Sequence, residues 1–112
     1  MLIGFASKSI EELCNNSKKR LKRCGAARAK LLQRRLDDLR AAPNLETMRV
    51  LPGRCHEHKN TKPPALTVDL DGPNRLYFEV ADEPIPFKPD GGLDWVKTTR
   101  IRITKIDDPH GT

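Results

Sequence analysis

The chain has 112 residues, of which 32% are charged, and a formal net charge of +6 at pH 7. This length suffices for one hydrophobic core, so residues 1–112 are predicted to form a single domain. The apolar residues 2–6 are too few to span a membrane and follow no basic residue, which excludes a signal peptide and predicts a cytoplasmic protein without a membrane partner. The positive charge favours an anionic partner, most commonly nucleic acid.

The first forty residues combine a short strand with helical patterns. An apolar run at 2–5 predicts the strand, and Ser9 with Glu12 three residues later has the spacing of a helix capping box. Ile10, Leu13 and Cys14 give that helix one apolar stripe, which ends at the polar residues 15–17. A second amphipathic helix ends at Pro43 and carries apolar residues with helical spacing: Ala29, Leu32, Leu36 and Leu39. The two helices are expected to pack as a hairpin.

The helical region is strongly basic. Residues 18–40 contain ten Lys or Arg and two Asp, which is a local balance of +8. Two interpretations of this run remain open. It is either the solvated face of an amphipathic helix or a nucleic-acid surface.

After Pro43 the apolar period changes from helical spacing to strict alternation. Apolar residues alternate with polar ones on both sides of the turn residues 71–74, at Leu66, Val68 and Leu70 and then at Leu76, Phe78 and Val80. This pattern predicts an antiparallel hairpin. Segregated helices and strands make the predicted fold class α+β, with three or four antiparallel strands.

The last third combines a loop with one more strand. Residues 82–95 contain five Pro or Gly residues and predict a surface loop held at its end by Trp95. A final strand is predicted at residues 98–106. Because Ile106 falls on the opposite face from Ile101 and Ile103, a bulge or an end to strand pairing is expected near Lys105.

Several candidate reactive residues lie in or beside the strands. Cys55, His56, Glu57 and His58 do not have the spacing of a metal site, so no metal and no cofactor is predicted. The three cysteines Cys14, Cys24 and Cys55 are an odd number without tight spacing, which favours free thiols in a reducing compartment. The remaining cations and imidazoles suit phosphate chemistry without a metal: Arg54, His56, His58, Lys59, Lys62, Arg75, Arg100, Arg102 and His110.

The order and spacing of several short segments resemble the HigB-type killer proteins of toxin–antitoxin modules, in the RelE/ParE superfamily. The segments are Leu36-Asp37-Asp38-Leu39, Leu45-Glu46-Thr47-Met48-Arg49, His56-Glu57-His58-Lys59, Arg75-Leu76-Tyr77-Phe78 and Ile106-Asp107-Asp108-Pro109-His110. The resemblance implies a RelE-like fold, in which a small curved sheet packs against an N-terminal helical hairpin. It also makes residues 82–95 an insertion relative to shorter members.

The resemblance further implies a metal-independent endoribonuclease that cuts messenger RNA on the ribosome. Its partners would be the ribosome, mRNA and a helix-turn-helix antitoxin of the HigA type. Position by position, Lys59, Arg75 and His110 match the family's catalytic Lys, Arg and terminal His. The RNA-binding residues would be Arg54, His56, His58, Lys62, Arg100 and Arg102.

Two departures from the family pattern leave other functions open. Asp69 stands where many members carry a basic residue, and Pro109 stands where they carry Tyr before the terminal His. One alternative is a ParE-like toxin that blocks DNA gyrase without cleaving RNA. The other is a basic RNA-binding or ribosome-binding module with no catalytic activity.

Overall fold

The computed structural model describes residues 1–107, so His110 and Pro109 lie outside the described residues. Helices and strands are segregated, which confirms the α+β class, and the five strands form one sheet in the order β1-β5-β4-β3-β2. The elements are β1 (Leu2–Phe5), α1 (Lys8–Asn15), α2 (Ser17–Ala41), a 3-10 helix (Leu45–Val50), β2 (His56–His58), β3 (Ala65–Asp69), β4 (Arg75–Val80) and β5 (Arg100–Asp107).

The start of α1 differs from the prediction. Ser7, and not Ser9, is the N-cap, because Ser7 has extended backbone and its side chain accepts a hydrogen bond of 3.2 Å from the Ile10 amide. Ser9 already lies in the first helical turn. The predicted apolar stripe is confirmed, since Leu13 and Cys14 are buried.

A sharp turn inside α2 was not predicted. Gly25 has φ +79° and ψ 166°, which is not helical, and the side chain of Arg20 forms a hydrogen bond with that of Gln33. On an uninterrupted helix these two residues would lie about 20 Å apart along the axis. The chain therefore changes direction sharply at Gly25. Among residues 1–107, no helix is both long enough and apolar enough to cross a membrane.

The predicted β3–β4 hairpin is confirmed, with Leu66 paired to Phe78 and Val68 paired to Leu76. The predicted bulge in the last strand is confirmed as well. Tyr77 pairs with Lys105, but Phe78 pairs with Ile103, so Thr104 is the extra residue. The bulge returns Ile106 to the apolar face, opposite Leu76.

The sheet is mixed, and the prediction of an antiparallel sheet is wrong for β1. This strand lies at one edge and runs parallel to β5, with Ile3 paired to Ile101 and Phe5 to Ile103. The Leu2 amide donates to the Thr99 carbonyl at 3.0 Å and the Ala6 amide to the Ile103 carbonyl at 2.9 Å. An alternating pattern fixes which side chains share a face, but it carries no information about the direction of the partner strand.

Residues 82–95 form the predicted loop, with a single bridge between Phe87 and Leu93. Trp95 is buried, as predicted for the end of the loop. Its indole nitrogen donates to Glu57 Oε1 at 2.9 Å, and the Arg49 guanidinium lies 3.7 Å from the centre of its ring. Trp95 therefore fastens the loop to β2 and to the 3-10 helix.

One glycine before β2 is required by its surroundings. Gly53 has φ +112°, and a Cβ atom at this position would lie 2.8 Å from Arg35 Nε. Arg35 is buried and donates from Nε to the Asp69 carbonyl at 3.0 Å, so it has little freedom to move away. Gly53 thus combines backbone strain with a close approach.

We expect Gly53→Ala to lower the free energy of unfolding by about 2–4 kcal/mol, from backbone strain and from the clash with Arg35. Gly91→Ala is the matched control, because Gly91 has φ +92° but open space around its Cβ position. That control should lose about 1–2 kcal/mol. Urea unfolding followed by circular dichroism measures both values, and equal losses would show that the Arg35 contact costs nothing.

Candidate functional site

The sheet face opposite the helices is polar. On β4 the buried Leu76, Phe78 and Val80 alternate with Arg75, Tyr77 and Glu79, which are partly exposed. The pairing registers place further polar residues in the same rows on neighbouring strands. We call this surface the open sheet face; it comprises His56, His58, Thr67, Asp69, Arg75, Tyr77, Glu79, Arg100, Arg102 and Lys105.

A groove of about 460 Å³ occupies part of the open sheet face, where β2, β3 and β4 lie side by side. Its lining mixes guanidinium, imidazole, phenol, hydroxyl and carboxylate groups. The lining residues are Arg54, Cys55, His56, His58, Thr67, Asp69, Arg75 and Tyr77. We call it the β2–β4 groove.

Asp69 joins the two arginines of this groove. Its Oδ2 lies 2.5 Å from Arg54 Nε, and its Oδ1 lies 2.9 Å from Arg75 Nε. The Arg75 side chain is fixed further, because Nη1 donates to the carbonyls of Gly72 at 3.1 Å and Asn74 at 2.9 Å. Arg54 has φ +47°, a conformation that is uncommon for a residue with a side chain.

The rings of the groove form a second cluster. His56 and His58 are in edge contact with centroids 5.2 Å apart, and the rings of His58 and Tyr77 are nearly parallel with centroids 6.1 Å apart. His58 Nε2 lies 3.2 Å from Thr67 Oγ1. The ammonium of Lys105 lies 4.6 Å from the Tyr77 ring centre. Two imidazoles are therefore held beside a phenol in the groove that also contains two guanidinium groups.

The groove brings together four of the predicted site residues, Arg54, His56, His58 and Arg75. Lys59 follows β2 at the other end of the sheet. The backbone of His58 is about 13 Å along the strands from Arg75, because it pairs with Ala65, which pairs with Glu79, but the His58 side chain lines the groove. Lys59 lies one residue further and does not line the groove.

The other predicted site residues also lie outside the groove lining. Lys62 is exposed in the turn between β2 and β3. Arg102 forms an ion pair with Glu79, and Arg100 lies beside the edge strand β1. The structure does not place Lys59 beside Arg75, and His110 lies outside the described residues.

Sequence reasoning did not assign Thr67, Tyr77 and Cys55 to the site. The signal was present, because alternation on β3 and β4 puts Thr67 and Tyr77 on the same polar face as Arg75. Asp69 was noted only as a departure from the family pattern. Its position between two arginines depends on the turn that carries Arg54, which the pattern of residue types does not reveal.

The basic run 18–40 divides into inward and outward side chains. Arg20 and Arg35 are buried, and Arg28 forms a 3.0 Å ion pair with Asp71. Arg20 donates to the Leu13 and Cys14 carbonyls at 3.3 and 2.7 Å, which satisfies the end of α1. The exposed members are Lys18, Lys19, Lys22, Arg23, Lys30, Arg34 and Arg40.

Within residues 1–107, no three His, Cys, Asp or Glu side chains are grouped so that they could hold a metal ion. The carboxylate of Glu57 accepts a hydrogen bond from the indole of Trp95 and does not lie with the two histidines. The functional groups of the β2–β4 groove itself are proton carriers and cations. Imidazoles can move protons near neutral pH, and guanidinium groups stabilise negative charge on a phosphate.

Comparisons with known proteins returned no relative: no family model matched the chain, and no curated protein or solved structure matched it significantly.

Cys55 lines the groove, but burial raises the pKa of its thiol to about 12. The thiol is therefore protonated at neutral pH and is a weak nucleophile. Because an unfolded thiol has a pKa of about 8.5, this burial favours the folded state below that pH, and the contribution is lost as pH rises toward 12.

We expect iodoacetamide to modify Cys55 in the native protein far more slowly than in urea, and to react faster as the pH is raised. Mass spectrometry of the peptide that contains Cys55 measures the modification. Equal rates in the native and unfolded protein at pH 7 would contradict a protonated, half-buried thiol.

Proposed function

We propose that this protein is the toxin of a toxin–antitoxin module, with a RelE-like fold, and that it cleaves messenger RNA on the ribosome without a metal. The observation that carries the proposal is the β2–β4 groove, in which His56 and His58 lie on the same polar surface as Arg54 and Arg75. The order of the sequence segments that resemble HigB-type proteins supports the same conclusion.

The proposed reaction is attack of a 2′-hydroxyl on the adjacent phosphate. It requires a base for the hydroxyl proton, a cation for the charge on the phosphorane and an acid for the leaving 5′-oxygen. Arg75 supplies the cation in this proposal. His110, the residue matched by resemblance, and the groove histidines His56 and His58 are the candidates for the two proton transfers.

Lys59 has a different place in the proposal from that implied by the resemblance. Because it lies beyond the end of β2 and does not line the groove, it would contact the RNA away from the cleaved bond. Free RNA is seldom aligned for attack by its own 2′-hydroxyl, and the ribosome would supply that alignment by holding the message extended in the decoding site.

Primer extension on translated messages tests the proposal. We expect cuts with wild-type protein and ribosomes, no cuts with protein and free RNA, and unchanged cutting when a chelator selective for transition metals is added. Arg75→Ala should slow cleavage by about a hundredfold, because one preorganised charge at the phosphate is lost.

Arg100→Ala is the matched control for that measurement, since it removes the same charge from the same sheet face outside the groove. Its effect should be less than tenfold. His110→Ala and the double variant His56→Ala/His58→Ala assign the proton transfers. Undiminished cleavage in His110→Ala would remove that residue from the mechanism.

A second candidate function is favoured by Asp69, which neutralises part of the charge of Arg54 and Arg75. A ParE-like toxin without nuclease activity needs no free cation at a phosphate. Trapping of gyrase on DNA, with no cuts in translated messages even for wild type, would support this candidate. Binding to ribosomes without either activity would support a non-catalytic RNA-binding module.

The proposal includes an antitoxin with an acidic segment as partner. Seven exposed cations remain on the helical region, and complementary charge accelerates the encounter of two proteins. We expect raised salt to slow association in stopped-flow measurements more than it speeds dissociation. Harmless expression of the chain alone at high level, with no product of an adjacent gene copurifying, would contradict this expectation.

A further inference from the structure

We propose that Asp69 is a positioning residue, which holds Arg54 and Arg75 together as a two-armed site for a phosphate of single-stranded RNA. This inference rests on the proposed function, and it assigns the phosphate site within the groove. It also gives Asp69, the departure from the family pattern, a task in binding.

The atoms that make the contacts support this assignment. Asp69 engages both arginines through Nε, the guanidinium nitrogen nearest the main chain. The outer nitrogens are the ones best placed to reach a ligand. Among residues 1–107, Arg75 donates to its own turn through Nη1, at Gly72 and Asn74, and Nη2 makes no hydrogen bond.

Repulsion between the two cations is the reason that a carboxylate is needed. Arg54 and Arg75 each have Nε within 3 Å of the same carboxylate, so their guanidinium groups are close neighbours. Without Asp69 the like charges would separate. Arg54 would separate first, because 80% of its side chain is exposed and Asp69 is its ion-pair partner.

The low exposure of the Asp69 side chain is consistent with a positioning role. This side chain is only 22% exposed, whereas that of Arg54 is 80% exposed. The main chain of Asp69 is also fixed, since its amide donates to the Gly53 carbonyl at 2.7 Å and its carbonyl accepts from Arg35 Nε at 3.0 Å. The carboxylate is thus a rigid anchor for the exposed Arg54 side chain, beside the already constrained Arg75.

The same groove explains why single-stranded RNA, rather than a free anion, is the ligand. The rings of Tyr77 and His58 line it next to the arginines, and flat rings beside cations are the usual surface for unpaired nucleotides. A free phosphate would engage the cations and leave these rings unused.

A matched carboxylate on the same face provides the control. Glu79 forms an ion pair with Arg102 on the neighbouring strand, and neither residue lines the groove. Glu79→Gln and Asp69→Asn therefore change the net charge by the same amount on the same surface. Only Asp69→Asn releases two arginines.

The experiment measures binding of a short single-stranded RNA in which every 2′-hydroxyl is methylated, so that cleavage is impossible. Fluorescence anisotropy at several salt concentrations gives the affinity and its salt dependence. We expect Asp69→Asn to bind roughly tenfold more weakly although its net charge is more positive, with a smaller salt slope because fewer phosphate contacts form. Glu79→Gln should bind as tightly as wild type or slightly more tightly.

The sign of the Asp69→Asn effect decides between the two possible roles. Tighter binding by Asp69→Asn would overturn the proposal, because it would show that the carboxylate only competes with phosphate. Failure of wild type to bind would overturn it too. Arg54→Ala, at an exposed side chain where folding is not at risk, should match the loss in Asp69→Asn, and the double variant should lose no more than either single change.

Failure of this proposal is distinct from failure of the proposed function. Normal RNA binding with the expected Asp69 effect but no cleavage on the ribosome would leave the phosphate site standing and reject the nuclease. Cleavage on the ribosome with an unchanged affinity in Asp69→Asn would do the reverse. Equal circular dichroism and unfolding midpoints for the variants confirm that the fold is intact in each case.

Discussion

The fold depends on the packing of one helical stripe against one face of the β3–β4 hairpin. Leu32, Leu36 and Leu39 are fully buried, as are Leu66, Leu76 and Phe78 on the strands. Because side chains alternate along a strand, burying one face forces the intervening residues to the opposite face. The same interaction that builds the core therefore assembles the polar groove. A shift of one residue in register would exchange the two faces and remove the site along with the core.

Arg35 links that core to the groove. It extends from the buried face of α2, approaches Gly53 and donates to the carbonyl of Asp69, the residue that joins the two groove arginines. Its buried Nη1 has no hydrogen-bond partner among residues 1–107 and lies 3.9 Å from an oxygen of Asp38. A buried guanidinium with an unsatisfied nitrogen is costly, so the hydrogen bond from Arg35 to the end of β3 is made at an energetic cost. Arg35 belongs to the basic run 18–40, but it contributes to the interior of the fold and not to a charged surface.

Local features of the fold could be predicted from the sequence, whereas features that depend on distant partners could not. The hairpin, the bulge and the loop ending at Trp95 follow from alternation and from Pro and Gly content over a few residues. The parallel pairing of β1 joins residues about a hundred positions apart, and no local pattern encodes it. The turn at Gly25 is marked by a single glycine within a basic run, which is also compatible with a continuous helix. For the site, residue type and alternation identified Arg54, His56, His58 and Arg75. They also predicted Lys59, which does not line the groove. Lys59 lies beyond the end of β2, where the alternation of side chains no longer predicts which face a residue occupies.

The distribution of charge explains why net charge alone describes this protein poorly. Arg20 neutralises the carbonyl end of α1, Arg28 pairs with Asp71 at the β3–β4 turn, and Arg35 supports β3, so part of the positive charge serves the fold. On the open sheet face the carboxylates of Asp69 and Glu79 are likewise engaged with arginines. An arginine held by a carboxylate through Nε keeps its outer donors and loses much of its freedom, so it presents a defined hydrogen-bonding edge rather than a diffuse field. A surface built from such pairs discriminates by geometry, which suits the proposed role of fixing one phosphate in register more than a role in gathering anions from solution.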